Sequence, residues 1–359
     1  MSSPTSTTSG ILTARINQVD ELKGRRMVIA FRPNRQVKYG VFMRAIQIDQ
    51  FGGPEVLIEA DLPRPEPSDT EVLIEVRRAG INFADTHNRT NSYLAPAQLP
   101  LVPGTEVSGV RVDTGERVVA LTGSGGYAQY AVAPAALTFA IPDGVDDGAG
   151  LALLVQGLTA WHLYATSARL RPGESVVVHA GAGGVGTIAI QLAPVFEAGR
   201  VIATASSEEK RELCRQLGAD AAIDSAPDSM AERLLAANEG RPVDAVFEMT
   251  GGEVFRQSLH ALAPFGRLVT YGMASGEPME VSAGELMRGS SAVIGFWLVH
   301  CLGSAAMTGD VLARLCELVL EGRLRPVISG TYPLGEAAQA HRDLEGRTTT
   351  GKLLLDPSA

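Results

Sequence analysis

Six residues, Gly181-Ala182-Gly183-Gly184-Val185-Gly186, stand between the apolar run SVVVHA and a helix-length stretch opening at residue 184. Glycines spaced G-x-G-x-x-G between a strand and a helix let backbone approach a phosphate. The free N–H groups and positive dipole end of the helix then receive the anion. In such a turn Gly181 allows the tight bend, Gly183 admits a pyrophosphate and Gly186 lets the helix pack on the strand. A glycine-rich turn can also be close packing with no ligand; the strand–turn–helix context decides for a dinucleotide.

Which dinucleotide depends on the end of the next apolar run, RVIATASSEEKRE. A carboxylate there would hold the ribose 2′-hydroxyl of NAD. Thr204, Ala205, Ser206 and Ser207 carry no charge, and Lys210 and Arg211 follow. Hydroxyls and a cation suit a 2′-phosphate, so the sequence predicts NADPH, with Ser206 and Lys210 as contacts. Ser206-x-x-Glu209 also reads as a helix capping box, which would explain the serine without a ligand.

The elements around this turn alternate. From SVVVHA onward, apolar runs (RVIATA, AAI, VDAVFEM, GRLVTYG) are separated by helical stretches at 184–198, 207–218, 228–238 and 252–262. That rhythm predicts a doubly wound parallel sheet with both faces covered. Before it, MRAIQI, EVLIEVRRAGI, VSGVRV, RVVAL and YAQYAVA are short strands broken by glycine and proline turns, as in a barrel or sandwich. After about residue 300 a helix, RPVISGTYPL, a second helix and GKLLLD return to that character.

Bulk properties narrow the class. The 359 residues suffice for two domains, and a net charge of −9 argues against a nucleic-acid surface. Three cysteines without a CxxC pair suit a reducing, cytoplasmic compartment. No apolar run reaches the length of a membrane span. Residues 1–42 differ from the rest: a polar low-complexity start, then seven Lys and Arg against two Asp and Glu. They are expected to be a disordered leader, with the folded unit beginning at Met43.

The motifs FGGPEVL, AGINFADTHNR, LPLVPGTEVSGV, VQGLTAWHL, VVVHAGAGGVG, IATASSEEKRELCRQLGAD and RTTTGKLLL resemble those of the medium-chain dehydrogenase/reductase superfamily. The resemblance covers residues 43–355 and points to the zinc-free quinone oxidoreductase branch. It implies an α/β chain with a GroES-like β-barrel catalytic domain (43–167 and 301–359) and a Rossmann NADPH-binding domain (168–300), the active site lying between them. The zinc ligands of metal-dependent relatives correspond to Asn82, Thr105 and Gln156, which are not a zinc set, and no zinc is expected.

The resemblance also implies site residues. Asn82 would lie beside the nicotinamide and donate to a substrate carbonyl, Tyr93 would cover the substrate, and His87 stands where many members have tyrosine. Thr159, Tyr271, Phe296, Trp297, Leu298 and Arg347 join Gly181, Gly183, Gly184, Val185, Gly186, Ser206 and Lys210 on the cofactor side. Asn82, Tyr93, His87, Trp297 and Arg347 have plainer alternatives: a turn-forming asparagine, interface packing, a polar wall, core packing and a solvated loop arginine.

Without a metal to stabilise an alkoxide, a conjugated acceptor is the favoured substrate, because it spreads the developing charge itself. The expected reaction is NADPH-dependent reduction of a small quinone or other α,β-unsaturated carbonyl. An enoyl-thioester reductase, suggested by GFWL, and a non-catalytic NADPH-binding protein are the alternatives. A homodimer is expected through the strand at SAVIGFWL.

Overall fold

A computed structural model describes residues 41–359. Apart from its last two residues, the expected leader 1–42 lies outside them.

The parallel sheet has six strands in the order Ala221–Asp224, Arg200–Ala205, Ser175–Val178, Val243–Glu248, Leu262–Thr270, Ala292–Gly295. Their side chains alternate between two cores. Val176, Val178, Ala203, Ala245 and Phe247 enter one, and Val177, Ile202, Val246 and Leu268 enter the other. Both faces are therefore covered by helices, as a parallel sheet requires. The chain order reverses between Ser175–Val178 and Val243–Glu248, and ligands of such sheets bind outside the strand ends at that point.

The second sheet has seven strands, built on the long strand Glu71–Ile81. One edge of that strand pairs with Glu106–Arg111 and the other with Tyr130–Pro134 and then Lys352–Asp356. Ile328–Pro333 lies parallel to Lys352–Asp356, so the end of the chain rejoins the sheet begun by its first strands. The core of this unit is aliphatic, with Tyr127 wholly buried in it.

The two sheets are joined by one helical run from Asp147 to Ala168 that twice widens into π-turns, at Leu153–Gly157 and Leu163–Ala168. Asp146 caps it, accepting from the Ala149 N–H at 2.7 Å. The stretch expected as one helix over 184–198 is an α-helix over Gly184–Leu192 and a 3₁₀ turn over Ala193–Phe196, because Pro194 cannot continue the ladder. No helix of the described residues is long and apolar enough to cross a membrane.

Candidate active site

The glycine turn lies between the strand Ser175–Val178 and the helix Gly184–Leu192, with one role reassigned. The bend is made by Ala180, whose φ is 49°, and not by Gly181. Gly181 is a packing residue: a Cβ there would lie 2.9 Å from both Ala203 Cβ and Cys214 Sγ. Gly186 is tighter still, since a Cβ would come within 2.3 Å of the Ala180 carbonyl oxygen. At Gly183 a Cβ would meet only Ala180, so one side of that backbone is open for an anion. Gly183 is the N-cap of the helix Gly184–Leu192, with Val185 in its first turn. The side chain of Gln156 covers Gly184.

At the end of the second strand the cap is Ser207, one position later than the sequence pattern suggested. Its hydroxyl accepts from the Lys210 N–H, and Ser206 is left exposed. The Lys210 ammonium donates to the Arg347 carbonyl at 2.6 Å. Burial and then the Arg347 charge lower the Lys210 pKa, so two cations share this end of the sheet. Arg211 is turned away, paired with Asp224 and Glu208. Four residues beyond Arg347, the Gly351 N–H bonds the Ala182 carbonyl at 2.8 Å, forming a bridge between Gly183 and Gly351. The segment 347–352 thus runs across the glycine turn.

Beyond that bridge lies a buried polar cluster. Lys352 pairs with Glu106, both wholly shielded from water. Lys352 Nζ also donates to Asn82 Oδ1 at 2.9 Å, and Asn82 Nδ2 donates to Glu106 Oε1 at 2.8 Å. One of the two Asn82 amide protons is thus taken by Glu106, and the other is left. Gln156 approaches Asn82 Oδ1 from the helical run, and the second Glu106 oxygen accepts from the Val155 N–H.

The backbone of Asn82 is held from the other side. Its N–H donates to Asp85 Oδ2 at 2.8 Å, and Tyr127 Oη reaches the same oxygen at 3.2 Å. Tyr127 meets His341 Nε2, and His341 Nδ1 meets Arg89, which pairs with Glu345 near the surface. An arginine only donates, so Nδ1 accepts and the His341 proton sits on Nε2, directed at Tyr127, which in turn donates to Asp85. Burial pushes the Asp85 pKa up to about 7; burial and the neighbouring Arg89 pull His341 down to about 3.

Asn82 opens the helix Phe83–Thr90, which carries His87. His87 stacks on Tyr93 with ring centroids 6.3 Å apart, and its Nδ1 faces Ser92 at 3.0 Å. Burial lowers the His87 pKa, so the ring stays neutral, and its Nε2 is buried without a hydrogen-bond partner. Tyr93 from the antiparallel unit meets Trp297 from the parallel one edge to face. Phe296 stacks on His162, and Leu298 packs against the same core. Tyr271 follows the fifth strand and bonds the Glu248 carbonyl; burial raises its hydroxyl pKa. Thr159 is buried in the helical run.

The sequence reading named the aromatic residues that meet here and the residues of the glycine turn. It missed Glu106, Lys352, Asp85, Tyr127 and His341. The signals were a charged residue opening each of the apolar strands EVSGV and KLLLD, where exposure is hard to arrange.

Models of two families match the chain: an alcohol dehydrogenase GroES-like domain over residues 68–143 and a zinc-binding dehydrogenase over residues 184–315. The quinone oxidoreductase of Pseudomonas aeruginosa is 36% identical over 328 residues, 88% of this chain and 99% of its own. The chain belongs to the quinone oxidoreductase branch of the medium-chain dehydrogenase/reductase superfamily. Among solved structures of this family, the Escherichia coli quinone oxidoreductase complexed with NADPH is 30% identical with a TM-score of 0.82. The quinone oxidoreductase from Thermus thermophilus, also solved with NADPH, is 38% identical with a TM-score of 0.79. Each comparison covers 88% of this chain and 100% of the other.

Proposed function

We propose that the protein is an NADPH-dependent reductase of small quinones and related conjugated carbonyls, working where the two sheets meet. The convergence of Lys210 and Arg347 at a strand end without a carboxylate carries the coenzyme reading. The residues fit the group: Gly183 leaves room for a pyrophosphate at a helix N-terminus, and exposed Ser206 lies between the second strand and the helix that carries Lys210. When bound there, NADPH supplies a hydride to the acceptor. The chain's part is to orient and to exclude water. Phe296, Trp297, Leu298 and Tyr271 wall the nicotinamide end, while Tyr93, His87 and Asn82 bound the acceptor. Tyr93 keeps its hydroxyl proton at neutral pH, because burial raises its pKa, and on this reading it is a proton donor for the acceptor oxygen.

The reading includes metal independence. Where metal-dependent relatives would place ligands, Asn82 meets both Gln156 and the Lys352 ammonium. Those residues offer no thiolate or imidazole, and the carboxylate bonded to the Asn82 amide, Glu106, is already paired with Lys352.

The test is coenzyme consumption with a 1,4-quinone, a short enone and crotonyl-CoA side by side. NADPH turnover with the quinone supports the proposal. Preference for crotonyl-CoA would make the protein an enoyl-thioester reductase, and NADPH binding without turnover of any acceptor would make it a binding protein.

A further inference from the structure

The ion pair between Lys352 and Glu106 joins residues 246 positions apart and admits no water to either side chain. Such a pair is seldom retained for stability, because an apolar pair of the same shape serves as well. What it does here is written in its hydrogen bonds. An ammonium only donates and a carboxylate only accepts. Lys352 Nζ lies 2.9 Å from Asn82 Oδ1, and Glu106 Oε1 lies 2.8 Å from Asn82 Nδ2. The amide can therefore face one way only, since a flip would set its NH₂ against the ammonium and its oxygen against the carboxylate.

The surroundings serve the same arrangement. Gly80 makes room for the carboxylate, since a Cβ there would fall 2.5 Å from Glu106 Oε1. Lys352 directly follows Gly351, which is bonded to the glycine turn, so the ammonium is placed relative to the coenzyme's phosphate site. The Asn82 backbone is fixed by Asp85.

We propose that Lys352 and Glu106 are positioning residues for the reduction: they lock the Asn82 amide so that its second Nδ2 proton is presented to the substrate oxygen. A donor acts on developing charge only if it is already aimed when the charge appears. This inference rests on the functional reading above, and its test is built to fail separately.

The variant is Lys352→Met with Glu106→Gln, which removes both charges at nearly constant volume; a glutamine amide donates or accepts and so dictates no orientation. It should bind NADPH within about twofold of wild type, while kcat with 1,4-benzoquinone falls about tenfold or more. In an Asn82→Ala background the same pair of changes should lower kcat less than twofold, because their effect runs through Asn82. In protein labelled with ¹⁵N-asparagine, the Asn82 side-chain protons should exchange with solvent about tenfold faster in the double variant. Should that variant fail to fold, Glu106→Gln alone is read in the same way. Unchanged kcat, an undiminished loss in the Asn82→Ala background, NADPH binding lost in proportion, or unchanged exchange would each overturn the proposal. If wild type turns over no quinone, the functional reading fails and the exchange measurement alone decides the positioning.

Discussion

The Lys210 ammonium donates to the backbone carbonyl of Arg347 across 2.6 Å, joining the helix Glu208–Gln216 that follows the second strand of the parallel sheet to the segment leading into Lys352–Asp356. The Arg347 charge is close enough to lower the Lys210 pKa, so on the proposed reading a 2′-phosphate would meet both cations. Lys210→Glu should therefore weaken NADPH binding by one to two decades, the worth of one charge-assisted contact at about 1.5–3 kcal/mol. NADH binding should change little. Titration of both coenzymes against both proteins checks this, and equal wild-type affinity for NADH and NADPH would contradict it.

Tyr93 and Trp297 meet with ring centroids 6.2 Å apart and planes at 83°. Tyr93→Phe keeps that packing and removes the hydroxyl. We expect kcat/KM with a quinone to fall roughly tenfold, about 1.4 kcal/mol of barrier, and further with an enone. NADPH affinity should stay the same; if it falls with the rate, Tyr93 belongs to the coenzyme site.

Asp85 makes stability depend on pH. Its folded pKa is raised from 3.8 to about 7, so between those values the folded chain keeps a proton that the unfolded chain releases. Stability from this group is full below about pH 4, falls as pH rises and is gone above about 7, a loss of up to roughly 4 kcal/mol. His179 and His341, held neutral with pKa values of about 4 and about 3, act in the opposite sense, gaining stability as pH rises toward 6.5. The wild type must therefore be compared with Asp85→Asn. The variant's stability relative to wild type should climb between pH 5 and pH 8 in urea unfolding, and a constant difference would refute the assignment.

The strand Ala292–Gly295 ends the parallel sheet, and on the same margin Phe265 is 78% and Met287 79% exposed. An unpaired strand edge beside large apolar side chains suits a second copy of the chain. We expect a dimer by light scattering at micromolar concentration, shifted toward monomer by Phe265→Lys with Met287→Lys. A monomeric wild type would rule this out.

What the sequence disclosed was local. The alternation of apolar and amphipathic runs and the glycine spacing operate over a few residues and could be read directly. The helix Phe83–Thr90 escaped because FADTHNRT is largely polar and shows no apolar stripe. The run Asp147–Ala168 escaped for the opposite reason: it is apolar on nearly every side and so has no periodicity to detect. The Lys352–Glu106 pair, like the chain from Asp85 to Arg89, is made by residues brought together only by the tertiary fold, and nothing near either residue in sequence announces its partner.

The bond from Gly351 to Ala182 has a consequence in time. Residues 181–186 are synthesised well before residues 347–352, the strap that crosses them. A growing chain can fold its parallel sheet early and still lack Arg347, Gly351 and Lys352. Firm retention of coenzyme then waits for residues 347–352, and ribosome-bound chains stopped before residue 347 should let NADPH go where longer chains hold it.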